Sequence, residues 1–253
     1  MRIAVKIGTS TLTYENGRLN IKRTEKLCKV LSDLKNAGHE IILVSSGAIG
    51  MGVSKLGLSG RPEDMATKQA AAAVGQCELM YVYDRLFSEY NHTVAQILLT
   101  ASDIRHQDRR ENFMSTMERL LSLSVIPVIN ENDTVATEEI VIGDNDTLAA
   151  VVAVNVGADL LVLLSDIDGL YTADPHKDPS AELIKEVRTL DESLMALGGG
   201  SVSGVGTGGM KTKLEAAARC MEAGVSMVIA NGGDPDILYG IAAGEAAGTR
   251  FIP

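Results

Sequence analysis

Short apolar runs of strand length alternate along the chain with longer stretches of helical period. The runs are Ile3-Ala4-Val5-Lys6-Ile7, Ile41-Ile42-Leu43-Val44, Val94 to Leu99, Val125 to Ile129, Leu160 to Leu164 and Val225 to Ala230. After the first, Leu27, Leu31 and Leu34 recur on one helical face between Asn20, suited to an N-cap, and Gly38, suited to the C′ position. Similar periodicity predicts helices over 63–90, 108–123, Asn145 to Gly157 and 210–223, with a weaker extended piece from Glu139 to Ile142. Continuous apolar strands alternating with helices predict an α/β fold, a three-layer αβα sandwich whose mainly parallel sheet is covered on both faces. The most linker-like stretch, Gly198 to Gly204, lies too near the end to separate two full domains, so one domain over 1–253 is expected.

In such sheets ligands gather beyond the carboxyl ends of the strands. The residues after each apolar run are therefore informative. The first run carries Lys6 and continues into Gly8-Thr9-Ser10; the second continues into Ser45-Ser46-Gly47-Ala48. The Val125 run leads to Asn130-Glu131-Asn132-Asp133, and the Leu160 run to Ser165-Asp166. Each alone reads as a loop; together they suggest one shared cleft. Lys6 stands out among Ile3, Val5 and Ile7, because a buried ammonium without a partner costs several kcal/mol. It is either a snorkelling lysine on an edge strand or a cation at a strand end facing an anion.

A second oddity is Gly206-Thr207-Gly208-Gly209-Met210-Lys211-Thr212-Lys213. Met210, Leu214, Ala217, Ala218 and Met221 form the apolar face of a helix, which puts Lys211 and Lys213 in its first turn. The helix dipole disfavours a cation there by about 0.3–1 kcal/mol. The arrangement suits an anion such as phosphate at the helix start, or else solvated lysines on an exposed turn. Gly204, Gly206 and Gly209 match the dinucleotide spacing GxGxxG, but no strand precedes them, and the same stretch is one residue too long for a Walker A loop. Gly143-Asp144-Asn145-Asp146-Thr147 precedes another helix. Capping accounts for one of its acids; two aspartates with Asp133 and Asp166 on neighbouring loops require Mg²⁺, lysines or a substrate ammonium between them if they converge.

Composition narrows the partners. Of 253 residues, 23 are Lys or Arg and 33 are Asp or Glu, a net charge of -10, which argues against nucleic-acid binding. No run of 18 apolar residues is present, and the N-terminus enters a strand at once without the regions of a signal peptide. Cys28, Cys77 and Cys220 are odd in number and widely spaced, which fits a reducing cytoplasm better than a disulfide framework or zinc site. His39, His92, His106 and His176 occupy no metal-ligand or triad spacing, and no residue is assigned as a metal ligand. Met51, Met65, Met80, Met114 and Met117 read as core or interface filler.

Taken in order, Lys6-Ile7-Gly8-Thr9-Ser10, Val44 to Ile49, Pro127 to Asp133, Gly143 to Asp146 and Ser201-Val202-Ser203-Gly204 running to Lys213 resemble the amino acid kinase family over essentially the whole chain. The resemblance implies an eight-stranded sheet, ATP as co-substrate with Mg²⁺, and transfer of the γ-phosphoryl group to a side-chain carboxylate. Within the family it implies L-glutamate as acceptor, giving L-glutamyl 5-phosphate and ADP on the route to proline. Carried over by position, Lys6, Asp146 and Lys213 are the catalytic residues. Ser46, Gly47, Ala48, Asp133 and Asn145 hold glutamate. Lys6, Gly8, Ser165, Asp166, Thr207, Gly208, Gly209, Met210, Lys211, Thr212 and Lys213 contact ATP. Many members have Thr at the position of Ser165, and many carry a C-terminal PUA module; with the sequence running to Pro253, a short form without that module is expected. Proline as a feedback inhibitor and a homo-oligomer, dimer or tetramer, are further expectations of the resemblance.

The chemistry agrees independently. A side-chain carboxylate of reference pKa about 4.3 is ionised at neutral pH, so no general base is needed. Phosphoryl transfer depends on positioning and charge neutralisation, which lysines and Mg²⁺ supply. Other acceptors (aspartate, acetylglutamate, carbamate, a nucleoside monophosphate), a catalytically idle nucleotide-binding module and, more distantly, a dehydrogenase are the competing readings.

Overall fold

The structure, a computed structural model, describes residues 1–14, 17–135, 144–175, 177–200 and 209–253. Its elements in chain order are β1 (Arg2–Ile7), α1 (Thr9–Leu12), α2 (Ile21–Asn36), β2 (Glu40–Val44), α3 (Ala48–Leu56), α4 (Met65–Ser88), β3 (Val94–Leu99), α5 (Ala101–Arg105), α6 (Gln107–Ser122) and β4 (Ile126–Glu131). Then come α7 (Asn145–Asn155), β5 (Leu160–Ser165), β6 (Glu186–Val187), α8 (Glu192–Ala196) with a 3₁₀ turn at Leu197–Gly200, α9 (Met210–Glu222), β7 (Ser226–Asn231), α10 (Ile237–Ala243) and β8 (Thr249–Phe251). The expected strand at Glu139 to Ile142, and with it Gly143, lies outside the described residues, as do Thr207, Gly208 and His176.

The eight strands form one sheet in the order β3-β4-β2-β1-β5-β7-β8-β6. Every pairing is parallel except β7 with β8. The alternation of side chains splits each strand between two cores. Ala4, Ile42, Val44, Ile129, Leu161 and Leu163 pack with residues of α6, α7 and α9. Ile3, Val5, Ile7, Ile41, Leu43, Val162 and Leu164 pack with residues of α2, α4 and α10. Both faces are thus covered, which is why the sequence shows unbroken apolar runs here.

Helix boundaries follow local chemistry. The Asn20 side chain accepts from Arg23 N at the start of α2, and Asp64 accepts from Thr67 N at the start of α4. Helix α3 begins at Gly47, whose φ of 95° lies in the left-handed region that a side chain disfavours. Periodicity does not reveal this helix, because at nine residues it spans little more than two turns. Helices α3 and α4 touch backbone to backbone: a Cβ on Gly75 would sit 1.7 Å from the Ala48 carbonyl oxygen, and one on Gly52 would sit 1.8 Å from that of Ala71. Two glycines therefore clamp the middle of α4 onto the start of α3.

Candidate active site

The four strands that end in polar residues, β4, β2, β1 and β5, are consecutive neighbours in the sheet and run parallel. Their carboxyl ends form one edge. β1 is central, so the edge-strand explanation of Lys6 is wrong. Lys6 pairs in register with Val44 on one side and Leu163 on the other. Two residues after Ala4, its side chain falls on the α7 and α9 face of the sheet.

There it meets an anion supplied by the protein. Lys6 Nζ lies 2.6 Å from Asp146 Oδ1, and Lys213 Nζ lies 3.0 Å from Asp146 Oδ2. Asp146 is fully buried, Lys6 is 7% exposed and Lys213 4%. Burial pushes the Asp146 carboxyl up, but the Lys6 and Lys213 ammonium groups outweigh it and hold the group below the usual carboxylate range. Thr212 Oγ1 also donates to Asp146 Oδ2 at 3.2 Å. Two ammonium groups thus share one buried carboxylate.

Asp146 owes its place to the start of α7. The Asp144 carboxylate caps this helix, accepting from Asp146 N at 2.7 Å and Thr147 N at 3.0 Å. Burial is the main cause of a raised Asp144 pKa. Capping thus uses one acid of the pair, and the second is held by the lysines. Asn145, between them, points to the β2 and β4 ends: its Nδ2 donates to Ser46 Oγ at 2.6 Å and to the Ser45 carbonyl at 3.2 Å, with Asn130 Oδ1 at 3.4 Å. Ser45 Oγ in turn lies 2.9 Å from the hydroxyl of the buried Tyr83 on α4.

The other residues singled out by sequence fall around this line. Gly47 and Ala48 carry the Ser46 loop into α3. Asp133 follows β4, and among the described residues it makes no ion pair; burial raises its pKa and nearby Arg61 opposes the rise. Gly8 opens α1 with an ordinary φ of -77°, and a Cβ there would lie 3.6 Å from Lys6 Nζ, so its bareness leaves room beside the ammonium. Ser165 is buried and its hydroxyl donates to the exposed Asp166 at 3.0 Å. Gly209 precedes α9, and Met210 and Lys211 open it. The two lysines of this turn part company: Lys213 is buried against Asp146, whereas Lys211 is exposed, 3.9 Å from Glu215.

One residue in this region, Gln76, escapes the sequence patterns, and its partner Asn130 is visible there only as one of the polar residues after β4. Asn130 Nδ2 donates to Gln76 Oε1 at 3.0 Å, and both side chains are buried. Gln76 is a polar residue in the otherwise Ala-rich middle of α4, and that break in pattern is its signal. Among the described residues no group of three or more His, Cys, Asp or Glu side chains is placed to hold a metal ion, and no helix is long and apolar enough to cross a membrane.

The site is thus two buried lysines on one carboxylate, beside the start of α9, at the carboxyl edge of a mainly parallel αβα sheet. Residues 1–231 match the amino acid kinase family, and the chain belongs to it. Among curated relatives it is 52% identical to a glutamate 5-kinase of Caldanaerobacter subterraneus subsp. tengcongensis over 253 residues, covering 100% of this chain and 68% of the relative. It is 49% identical to a glutamate 5-kinase of Clostridium perfringens, covering 99% of this chain and 95% of the relative. Solved structures share the fold: carbamate kinase from Giardia lamblia bound to AMP-PNP has a TM-score of 0.71 at 15% identity, covering 99% of this chain and 98% of that one. The isopentenyl phosphate kinase of T. acidophilum has a TM-score of 0.69 at 19% identity, covering 99% of this chain and all of that one.

Proposed function

We propose that this chain is an ATP-dependent glutamate 5-kinase, a single amino acid kinase domain over 1–253 that transfers the γ-phosphoryl group of ATP to the side-chain carboxylate of L-glutamate. The observation that carries the assignment of roles is the joining of Lys6 and Lys213 on one buried carboxylate, one residue away from an amide held against Ser46. A carboxylate oxygen forms the new P–O bond as the bond from γ-phosphorus to the ADP oxygen breaks. No proton moves, which accords with a site built without a histidine. Lys6 and Lys213 meet the charge on the transferring group, and Asp146 holds both ammonium groups in place. At an effective dielectric of 20, one close charge pair contributes about 4 kcal/mol before desolvation. Such local cations are needed because both reactants are anions and the chain is net negative.

Ser46, Gly47, Ala48, Asp133 and Asn145 take the amino acid. The Asp133 carboxylate suits a free α-ammonium, which favours glutamate over an N-acylated acceptor. Gly8, Ser165, Asp166 and the stretch from Thr207 to Lys213 take ATP. Mg²⁺ fits as an ion carried by the nucleotide, since it favours phosphate oxygens and few protein ligands; when bound it neutralises phosphate charge. The free thiols of Cys28, Cys77 and Cys220 support a cytoplasmic location. A homo-oligomer, dimer or tetramer, belongs to the same reading, and a mass measurement in solution checks it. Proline as a feedback inhibitor would compete with glutamate beside Asp133 and Asn145, and inhibition indifferent to glutamate concentration would exclude that site.

The decisive experiment is ADP release with L-glutamate, with hydroxylamine trapping the acyl phosphate. Turnover confined to L-glutamate is expected. ADP release with aspartate, acetylglutamate, carbamate or a nucleoside monophosphate instead, or ATP binding without consumption, overturns the reading.

A further inference from the structure

Three neighbouring side-chain amides, Gln76, Asn130 and Asn145, lie under the Ser46 loop, and backbone groups fix which way each one faces. The Glu131 N–H can only donate, and it does so to Asn130 Oδ1 at 2.9 Å. Asn130 must therefore turn its Nδ2 to Gln76, whose Oε1 accepts at 3.0 Å. The Ser45 carbonyl can only accept, and it takes a proton from Asn145 Nδ2 at 3.2 Å. Two atoms are left over. Gln76 Nε2, a donor, and Asn145 Oδ1, an acceptor, are buried and have no hydrogen-bond partner among the described residues. Gln76 as a whole is 7% exposed. A buried amide with half its capacity unused is a standing cost that an apolar side chain of similar shape would avoid. The clamp at Gly75 fixes the adjacent turn of α4 against Ala48, so Gln76 has little freedom to turn away.

A leftover donor and a leftover acceptor, on two side chains that both bond to Asn130 and both uncharged, complement a zwitterion. We propose that Gln76 is a substrate-binding residue, donating from Nε2 to the α-carboxylate of the amino acid while Asn145 Oδ1 accepts from its ammonium. The side-chain carboxylate cannot be the partner of Gln76, because it must reach the phosphoryl group at Lys6 and Lys213. This inference rests on the glutamate kinase reading.

The test compares Gln76→Met and Gln76→Glu with the unaltered protein, measuring KM for L-glutamate, KM for ATP, kcat and thermal midpoint. Gln76→Met is expected to raise the glutamate KM about tenfold to a hundredfold, as loss of one hydrogen bond to a charged group does, with the ATP KM within about twofold. Gln76→Glu separates a direct donor from a structural role. It keeps the acceptor oxygen for Asn130 but replaces the N–H with an oxygen, so it should be at least as impaired as Gln76→Met. A normal glutamate KM in Gln76→Glu, or equal rises in both KM values in either variant, overturns the proposal. If Gln76→Met does not fold, Gln76→Glu alone decides. Absence of glutamate-dependent ADP release by the unaltered protein sinks the kinase reading and this inference with it. Turnover indifferent to Gln76 sinks only the inference.

Discussion

The two ends of the candidate site are built on opposite plans. At the β1 end, Lys6, Asp146 and Lys213 are charged, buried and mutually paired. At the β2 and β4 ends, Ser46, Asn130, Asn145 and Gln76 are neutral, linked by amide hydrogen bonds, and two of their polar atoms remain unused. The first cluster is held by ion pairs and confronts a ligand with charged groups. The second is incomplete and confronts it with directed single donors and acceptors. Charge that must be neutralised calls for a preorganised field, whereas selection of one amino acid calls for valences that only that molecule fills.

Removing the shared carboxylate should break the contrast most severely. Asp146→Asn leaves two buried ammonium groups without their anion and is expected to lower stability by about 3–5 kcal/mol, read by urea unfolding. Because the Asp146 pKa is depressed on folding, its contribution is full above the ordinary carboxylate range and is lost as pH falls through the depressed value. The gap between Asp146→Asn and the unaltered protein should therefore narrow in strong acid; a constant gap would mean that its charge is not what matters.

Next in size, Lys213→Ala and Lys6→Ala should each reduce kcat by about 10²–10³-fold, the range seen when one preorganised transition-state donor is lost, while circular dichroism shows the fold retained. A defect confined to the glutamate KM would assign these lysines to the wrong end. Asp133→Asn is expected to act at the other end, raising the glutamate KM by about tenfold to a hundredfold with the ATP KM little changed. Burial raises the Asp133 pKa, so the ionised form is lost from a higher pH downward than for an ordinary aspartate. In the unaltered protein the glutamate KM should rise on acidification beginning above the usual carboxylate range, and in Asp133→Asn that rise should vanish. Smallest of all, Ser165→Thr keeps the hydroxyl and should leave kcat and both KM values within about twofold.

Much of this arrangement is legible in the sequence because charge in an apolar strand is conspicuous. Lys6 among Ile3, Val5 and Ile7 announces a buried partner, and Lys213 in a first turn does the same. The linear pattern leaves open whether Lys6 lies on an edge and which lysine of α9 turns inward, since both depend on strand order and helix rotation. The strands buried on both faces are readable for the same reason, their unbroken apolar runs. Short elements such as α3, β6 and β8 are not, because two turns or three residues carry too little periodicity. Gln76 escapes because a neutral amide resembles an ordinary helix residue until its unused atom is located in space.

The first residues of α7 set a ruler. Asp144 ties down the helix, Asn145 meets Ser46 and Asp146 meets Lys6, and neighbouring Cα atoms stand about 3.8 Å apart in any trans chain. Under the proposed roles, the span from the recognised end of the substrate to the reacting end is written into covalent geometry rather than loop packing. Altering the length of acceptor would call for moving Ser46 or Asp133, because no rearrangement of α7 can lengthen a single peptide unit.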